Sequence, residues 1–297
     1  MELRRVLVEA PAKINLALRV LGRRSDGYHR LDTVVQLVEL VDTVELTVVP
    51  GSGRITVGSD QPDLPTGPDN LAYRAAELFC RHIEGQAGIN IFLWKQIPAA
   101  AGLGGGSSDA AGTLAGLNWL WGSPLTLGEL REIGAQLGSD VPLFLADANT
   151  GSLRVGGRGE LLTPLALLTD WWVVLAKPPV GVSTAWAYAH CCPSGRHLNL
   201  GQWPPTLTSL TELVVNDLRP AVEAEYPIIG EIRRFLAQCL PVAEMTGSGS
   251  TVFALAREET AAREARWLLR ECFPAVWSTV VPLRSAGVTV RPVESCR

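Results

Sequence analysis

Hydrophobic positions alternate along the first part of the chain and predict β-strands. Val6 and Val8 alternate with polar residues, and the same two-residue period returns from Ile14 to Val20. The residues that follow predict, in order, a Val- and Thr-rich strand over 33–49, a Gly- and Pro-rich loop over 50–69, a helix capped by Asp69 or Asn70 and ending near 83, and a strand over 89–94.

A glycine-rich segment then joins a strand to a helix. Residues 102–106 read GLGGG, and two serines follow at 107 and 108. Behind them, Ala110, Leu114, Leu117 and Trp121 recur at helical spacing. The next residues predict a helix over about 126–137, a short segment that opens at 138–142, and hairpin turns over the glycine-rich residues 149–159.

The second half of the chain predicts an α+β sandwich that resembles a ferredoxin-like domain. We place the division of the chain near residue 160, which gives an N-terminal domain over 1–160 and a C-terminal domain over 161–297. The predicted elements are a strand at 171–176, a helix from Ser183 to about 190, a long loop over 193–210, a helix over 228–239, strands at 242–245 and 251–255, a helix over 258–272 and a strand at 276–281.

Composition and charge narrow the class of protein. The 297 residues are 47% hydrophobic and 19% charged, which is typical of a globular chain with a sizeable core. The 26 basic and 30 acidic residues give a formal net charge of −4. Because the sequence has no long basic run, we expect no nucleic-acid partner.

Membrane insertion and export are disfavoured by the hydrophobic segments that the sequence offers. The most hydrophobic one, residues 161–176, is interrupted by Pro164 and Asp170 and is too short to span a bilayer. The N-terminus has no apolar stretch of signal-peptide length. Six scattered cysteines without a Cys-x-x-Cys pair favour reduced thiols and a cytoplasmic location.

One group of residues has the right types for zinc. His190, Cys191, Cys192 and His197 are all zinc-ligand types. Three consecutive ligands rarely converge on one ion, and the spacing matches no known zinc motif. A packed helix end followed by a loop is therefore favoured, and no protein metal ligand is predicted.

The glycine-rich segment is the strongest chemical signal. Glycines allow backbone N–H groups to approach a ligand closely, and the helix behind adds the positive end of its dipole. These features suit the phosphates of a nucleotide. The segment lacks the Lys of a Walker A loop and the third Gly of a dinucleotide fingerprint. A tight turn capped by Ser107 or Ser108 is the competing interpretation.

Three segments resemble, in the same order, the motifs of the GHMP kinase superfamily. They are PAKINL at 11–16, PAAAGLGGGSS at 98–108 and GSG at 247–249. Three more resemble a narrower branch of that family: RSDGYH at 24–29, LGSDVPLF at 137–144 and NDL at 216–218. The motifs span residues 11 to about 255, so the resemblance covers nearly the whole chain.

The resemblance implies both a fold and an activity. The fold is a two-domain α+β GHMP kinase fold, with an N-terminal domain like ribosomal protein S5 domain 2, a C-terminal ferredoxin-like domain and a cleft between them. The activity is transfer of the γ-phosphoryl group of ATP to the tertiary 2-hydroxyl of a cytidine-diphosphate-linked methylerythritol, in the non-mevalonate route to isoprenoid precursors. Mg²⁺ is expected with ATP, and its protein ligands are left open, with Ser107 and Ser108 as candidates.

The resemblance also assigns roles to residues. Asp140 matches the catalytic aspartate that accepts the hydroxyl proton, and Lys13 matches the catalytic lysine. Taken alone, Asp140 is typical of a helix N-cap and Lys13 of a strand residue that faces water. The residues implied to bind the ATP phosphates are Pro98, Ala99, Ala100, Ala101, Gly102, Leu103, Gly104, Gly105, Gly106, Ser107 and Ser108.

Binding of the cytidyl substrate is implied for a further set. Asn15 would contact the substrate beside Lys13, Tyr28 would stack on the cytosine and His29 would hydrogen-bond its edge. A second aromatic wall comes from Trp186 or Tyr188, and the sequence leaves both open.

The sequence departs from the family pattern at two places. Ala99-Ala100-Ala101 stand where the family has more glycine, and alanine lacks glycine's freedom at positive φ. Asp109 stands where the family usually has Asn. We expect its carboxylate to stabilise the N-terminus of the helix.

Three other functions compete with the cytidyl-substrate kinase. A homoserine or mevalonate kinase of the same superfamily is disfavoured by the residues at 26–29 and by Asp140. A nucleotide-binding sensor without turnover is disfavoured by the presence of both Lys13 and Asp140. An RNA-binding protein shares only the S5-like fold, and the acidic charge balance disfavours it. The oligomeric state is left open.

Overall fold

The computed structural model describes residues 4–25, 27–49, 53–83, 88–147, 150–157, 159–166, 168–201 and 203–293. Its strands are β1 (Arg4–Arg23), β2 (His29–Val49), β3 (Ile55–Ser59), β4 (Gly88–Trp94), β5 (Ser152–Gly157), β6 (Leu161–Leu165), β7 (Trp172–Lys177), β8 (Val215–Asn216), β9 (Val242–Met245), β10 (Val252–Ala256), β11 (Trp277–Pro282) and β12 (Thr289–Pro292). Its helices are α1 (Leu71–His82), α2 (Gly105–Leu120), α3 (Leu127–Leu137), α4 (Val141–Phe144), α5 (Thr184–His190), α6 (Leu207–Leu213), α7 (Arg219–Glu225), α8 (Pro227–Cys239) and α9 (Glu259–Cys272).

A long hairpin of β1 and β2 organises the first sheet. The two strands pair antiparallel from Arg4↔Val48 to Arg23↔His29, with register shifts at Pro11/Ala12 and Asn15/Ala17. The two strand segments predicted for the N-terminus are therefore one continuous strand, which bends at these bulges. The sheet order is β12-β1-β2-β4-β3; in addition, β5 pairs with β2, β6 pairs with β5, and β8 pairs with β1.

Helices α1 to α4 cover one face of this sheet. Val8, Val44 and Leu46 of the strands share a core with Leu114 and Leu117 of α2, and all five are fully buried. The helix ends follow local capping chemistry. Asn70 caps α1, as one of the two predicted caps, by accepting from the Ala72 N–H, and Thr126 forms a capping box with Glu129 at the start of α3.

The second sheet has the order β11-β7-β10-β9 and is antiparallel throughout. Helices α8 and α9 pack on one face, where Ile232, Leu236 and Leu269 are buried against strand residues such as Val174 and Ala254. This arrangement confirms the α+β sandwich that the sequence predicts for the second half.

The other face of the second sheet packs on the first sheet. Ile14 and Leu16 of β1 share a core with Val173, Leu175 and Phe253 of β7 and β10. As a result β1 has both faces covered, and residues 10–18 form an unbroken buried run. Lys13 and Asn15 lie in the middle of that run, so their polar groups must find partners inside the protein.

Several short strands were not predicted. β3 lies in the predicted loop 50–69, and β5 lies where hairpin turns were predicted over 149–159. β12 had no sequence signal, because it pairs with β1 from the far end of the chain. Gly-rich segments resemble turns locally and become strands when a long partner such as β2 supplies the hydrogen bonds. The division of the chain near residue 160 stays a prediction.

Candidate active site

A cleft of about 600 Å³ lies where the two sheets meet. It is lined by residues of β1 and β2, by the glycine-rich segment that precedes α2, by residues 138–140 at the start of α4, by α5 and by the turn between β9 and β10. The sequence motifs at 11–16, 98–108, 137–144 and 247–249 all contribute to this lining. The fold therefore brings distant motifs to one place.

Lys13 is buried at the wall of this cleft. Its side chain is 6% exposed, and its Nζ donates to Asn15 Oδ1 at 2.7 Å. Asp140 Oδ2 lies 3.9 Å from the same nitrogen. Burial lowers the pKa of Lys13, and the Asp140 carboxylate opposes part of that shift. The interpretation of Lys13 as a water-facing strand residue is wrong, because β1 is covered on both faces.

Asp140 is placed for a role other than capping. It occupies the N-cap position of α4, but its side chain makes no capping hydrogen bond. The side chain is 43% exposed, on the cleft side of Lys13. The ordinary cap that the local sequence allowed is therefore absent at this residue, and the carboxylate remains accessible from the cleft.

Asn15 connects Lys13 to the rest of the site. Its Nδ2 donates to Thr33 Oγ1 at 2.9 Å, and its backbone N–H donates to Thr246 Oγ1 at 2.9 Å. Its Oδ1 accepts from Lys13 Nζ, so both ends of the amide are used. These contacts fix the Asn15 amide and give the buried ammonium a neutral partner.

The glycine-rich segment turns into α2 at Gly104. Gly104 has φ 76°, and a Cβ there would lie 2.7 Å from Phe144 Cζ. Since α2 begins at Gly105, Ser107 and Ser108 lie in its first turns, and the interpretation of either serine as the N-cap is wrong. The predicted phosphate-binding residues that line the cleft are Pro98, Ala99, Ala100, Ala101, Gly102, Leu103, Gly104, Gly105, Gly106 and Ser107.

The first N–H groups of α2 have no partner within the helix, so its N-terminus presents donors and a positive dipole end to the cleft. Ala100 adopts φ 48°, the left-handed conformation that glycine takes without strain. Ala100 therefore takes the left-handed backbone conformation that a glycine would take, at a cost in local conformational strain. Ser108 is fully buried, and its Oγ has no hydrogen-bond partner among the described residues.

Asp109 does not stabilise the helix N-terminus as predicted. It lies beyond the first turn of α2, and its Oδ2 accepts from Lys95 Nζ at 2.5 Å. Lys95 also donates to Asp42, whose other carboxylate oxygen accepts from the Gln96 and Ile97 N–H groups at 2.6 and 2.8 Å. Burial raises the pKa of Asp109 to about 7, and Lys95 opposes that shift.

The predicted substrate-binding residues Tyr28 and His29 are not among the residues that line the cleft. His29 and Tyr188 stack with centroids 5.3 Å apart, and Tyr188 lines the cleft. Trp186 instead stacks on His190 at 4.3 Å. Of the two candidates for a second aromatic wall, the geometry favours Tyr188. Tyr28 is 58% exposed, and Asp26 of the same motif lies outside the described residues.

Comparisons with known proteins agree with the motifs. The GHMP kinase N-terminal domain matches residues 70–147, and the GHMP kinase C-terminal domain matches residues 199–275. The chain is 41% identical over 306 residues to the 4-diphosphocytidyl-2-C-methyl-D-erythritol kinase of Synechococcus sp. strain JA-2-3B'a(2-13), with 95% of each chain covered. It belongs to this family of GHMP kinases.

A second relative and a crystal structure of the same kinase family agree with this assignment, and a more distant structure shares the fold. The Geobacter sulfurreducens 4-diphosphocytidyl-2-C-methyl-D-erythritol kinase is 40% identical over 90% of this chain and 96% of its own. A crystal structure of a 4-(cytidine 5'-diphospho)-2C-methyl-D-erythritol kinase superposes with a TM-score of 0.77 at 34% identity, covering 93% of this chain and 99% of that one. A homoserine kinase from Cytophaga hutchinsonii reaches 0.75 at 20% identity over 97% of each chain, which shows a shared fold.

Sequence reasoning missed several cleft residues of this GHMP kinase. Thr184 and Ser248 line the cleft, and their hydroxyl oxygens lie 3.0 Å apart. Ser248 had a signal, as the middle residue of the GSG motif, but Thr184 had none. Leu64, Pro65 and Asn70 line the far end beyond α2 and come from a segment that reads only as loop and helix cap.

The described residues of this kinase family member include neither a membrane-spanning helix nor a cluster of metal-ligand side chains. None of the described helices has the length and hydrophobicity to cross a membrane. Within the same residues, no three His, Cys, Asp or Glu side chains cluster as ligands of a metal ion.

Proposed function

We propose that this protein transfers the γ-phosphoryl group of ATP to the 2-hydroxyl of 4-diphosphocytidyl-2-C-methyl-D-erythritol. The products are ADP and the 2-phosphate, an intermediate of the non-mevalonate route to isoprenoid precursors. The observation that carries the proposal is the Lys13 ammonium 3.9 Å from the accessible Asp140 carboxylate, in one cleft with the glycine-rich segment. A relative with 41% identity over nearly the whole chain bears the name of this kinase.

Asp140 supplies the proton acceptor. Its carboxylate takes the proton of the 2-hydroxyl as the hydroxyl oxygen forms its bond to the γ-phosphorus. The bond between the γ-phosphorus and the β,γ-bridging oxygen breaks, and ADP leaves with that oxygen. A carboxylate that caps no helix and stays accessible can reach a substrate hydroxyl directly or through one water.

Lys13 supplies positive charge where negative charge develops. An ammonium that is buried and partnered mainly by a neutral amide interacts strongly with the transferring phosphoryl oxygens, because water does not screen it. The same ammonium lies 3.9 Å from Asp140 Oδ2 and helps to orient that carboxylate. Positioning and charge stabilisation are what phosphoryl transfer requires of a protein.

The glycine-rich segment would hold the phosphates of ATP through backbone N–H groups and the N-terminus of α2. Oxygen donors fit Mg²⁺, and Ser107 is the serine of this turn that lines the cleft, whereas Ser108 is fully buried and does not line it. The Ser107 hydroxyl would hold Mg²⁺ together with the phosphates and water. The ion would neutralise charge on the phosphates.

The cytidyl group would bind at the part of the cleft lined by Tyr188, on which His29 stacks. Tyr28 would stack on the cytosine, with Tyr188 as the opposite wall. Burial, and then Arg23, lower the pKa of His29, so its imidazole is neutral near pH 7 and offers one donor and one acceptor to the cytosine edge. Asn15 would contact the acceptor beside Lys13.

The test is coupled ADP release with ATP and Mg²⁺ on three acceptors: 4-diphosphocytidyl-2-C-methyl-D-erythritol, homoserine and mevalonate. We expect turnover on the cytidyl substrate alone, and loss of about 1,000-fold in kcat for Asp140→Asn. Asp147→Asn is the matched control, since Asp147 is 65% exposed and pairs only with Arg131 at 3.5 Å among the contacts described. Turnover on another alcohol would refute the substrate, and an active Asp140→Asn would refute the base.

A further inference from the structure

Asn216, in the motif at 216–218, is buried and uses its amide fully. It lies on β8, next to Leu18 of β1, and is 1% exposed. Its Nδ2 donates to the carbonyl oxygens of Met245 and Gly247, each at 2.8 Å, and its Oδ1 accepts from the Leu218 N–H at 2.9 Å. One side chain therefore binds the carbonyl groups on both sides of Thr246, where the chain enters the GSG motif.

Through the Gly247 carbonyl, Asn216 is hydrogen-bonded to the 246–249 loop (Thr246-Gly247-Ser248-Gly249). This loop lies directly against Lys13. A Cβ on Gly247 would lie 3.3 Å from Lys13 Nζ and 3.1 Å from Gly102 O. A Cβ on Gly102 would lie 2.4 Å from Thr246 O. Backbone of the 246–249 loop thus packs against the ammonium on one side and the glycine-rich segment on the other.

The same loop is tied to Lys13 through Asn15. Thr246 Oγ1 accepts from the Asn15 N–H at 2.9 Å, and Asn15 Oδ1 accepts from Lys13 Nζ at 2.7 Å. A shift of the loop would therefore change both the surface against which the ammonium rests and the Asn15 amide oxygen, the one close hydrogen-bond acceptor that the described residues give Lys13. Asn216 does not line the cleft, so it acts on the site only through this loop.

We infer that Asn216 is a positioning residue which, by holding the Gly247 carbonyl, fixes the 246–249 loop and so sets the Lys13 ammonium relative to Asp140. The inference rests on the proposed function of Lys13 and Asp140. The inference gives Asn216 of the NDL motif a part in phosphoryl transfer, although Asn216 does not line the cleft.

Asp217 provides a matched control from the same motif. Its carboxylate accepts from Arg19 Nη1 at 2.9 Å, from the Val20 N–H at 2.8 Å and from Ser194 Oγ at 2.6 Å. These contacts join β1 to the segment after α5 and do not include the 246–249 loop. Asp217→Asn is therefore expected to disturb a network of similar size without moving Lys13.

The experiment compares the full chain with Asn216→Asp, Asn216→Ala and Asp217→Asn. Asn216→Asp is isosteric, but it removes two donors and directs a carboxylate at two carbonyl oxygens. Because misplacement of a reacting group by an ångström costs about 100-fold in rate, we expect kcat to fall by about that factor in both Asn216 variants. KM for each substrate should change by less than about threefold, since Asn216 does not line the cleft and the residues proposed to hold ATP and the cytidyl group lie outside the 246–249 loop.

The pH profile separates positioning from general destabilisation. The alkaline fall of kcat should move in the Asn216 variants, because the surroundings of the Lys13 ammonium change, and stay in place in Asp217→Asn. Thermal unfolding midpoints are measured on all four proteins.

Each outcome decides between the two roles. Asn216 variants with wild-type kcat, or with an unmoved pH profile, would overturn the inference. So would failure of both Asn216 variants to fold while Asp217→Asn folds, since the role would then be structural. Absence of turnover in the wild-type chain would instead overturn the proposed function.

Discussion

Two of the chain's three lysines line the same cleft, and their surroundings differ sharply. Lys95 is held between the Asp42 and Asp109 carboxylates, and their charges and hydrogen bonds outweigh burial and raise its pKa. Lys13 has a neutral amide at 2.7 Å and a carboxylate no nearer than 3.9 Å, and burial lowers its pKa.

The difference teaches how one residue type serves two purposes. A buried charge is costly unless opposite charges lie beside it, and Lys95 has two such charges, Asp42 of β2 and Asp109 of α2, so it acts as a structural link between these two elements. Lys13 is compensated incompletely, so its charge is available to a ligand. A buried charge that is only partly neutralised by its neighbours and that lies at a cleft is typical of a functional residue.

The largest effect is expected from Lys13→Met. Removing a cation that stabilises the transferring phosphoryl group should lower kcat by about 1,000-fold. The third lysine, Lys177, is the matched control, because within the described residues its Nζ donates to the Pro178 carbonyl at 3.3 Å, and Lys177 does not line the cleft. Lys177→Met should keep kcat; equal losses in the two variants would break the comparison.

Lys95→Met should act mainly on stability. It leaves the Asp42 and Asp109 carboxylates buried without their cation, and breaking a buried pair in this way costs about 3–5 kcal/mol of unfolding free energy. Urea unfolding at pH 8 measures the loss. The double variant Lys95→Met/Asp109→Asn should recover part of it, and a single variant as stable as wild type would contradict the structural role of Lys95.

The pH dependence of kcat should report Lys13. Since the pKa of Lys13 is lowered by burial, the ammonium loses its proton below the usual value of 10.5 as pH rises, and kcat should fall with it. Lys95 does not contribute, because its pKa is raised. Lys13→Arg, which keeps its charge, should lack this alkaline fall wherever its residual activity is measurable.

The smallest effect is expected from Asp109→Asn. The pKa of Asp109 is raised to about 7, so the folded state binds more protons than the unfolded state between about pH 4 and 7. The unfolding free energy should therefore decline as pH rises through that window, and Asp109→Asn should decline less steeply. Glu244, whose burial also raises its pKa to about 7, leaves a residual slope in both proteins. Identical slopes would contradict the burial of an ionising Asp109.

The sequence predicts the role of Lys13 but not the ion pair of Lys95, and the reason is physical. Lys13 and Asp140 lie in short motifs whose resemblance to a family names them, and the fold brings them together. For Asp109 the sequence predicts only a place near a helix N-terminus. Its actual partners cannot be predicted locally, because Lys95 is 14 residues away and Asp42 is a further 53. Local patterns report periodicity and capping, whereas a buried ion pair depends on which strands become neighbours.

The same limit explains the strand errors. β2 is predictable from its own Val and Thr residues, but β5 depends on β2 for its hydrogen bonds, ends in two glycines and is preceded by a third. The burial of Lys13 is also a tertiary property, since it follows from the second sheet covering β1. Sequence reasoning therefore identifies the chemistry of the site and leaves its electrostatic environment to the fold.

The most direct test measures kcat and unfolding free energy side by side for Lys13→Met and Lys95→Met. The account predicts that Lys13→Met loses about 1,000-fold in kcat with no loss of stability, because an incompletely compensated buried charge has been replaced by an apolar side chain of similar length. Lys95→Met should lose several kcal/mol of stability, about 3–5, and keep far more of its kcat. A Lys13→Met protein that retains kcat, or that is destabilised as much as Lys95→Met, would contradict the division of roles.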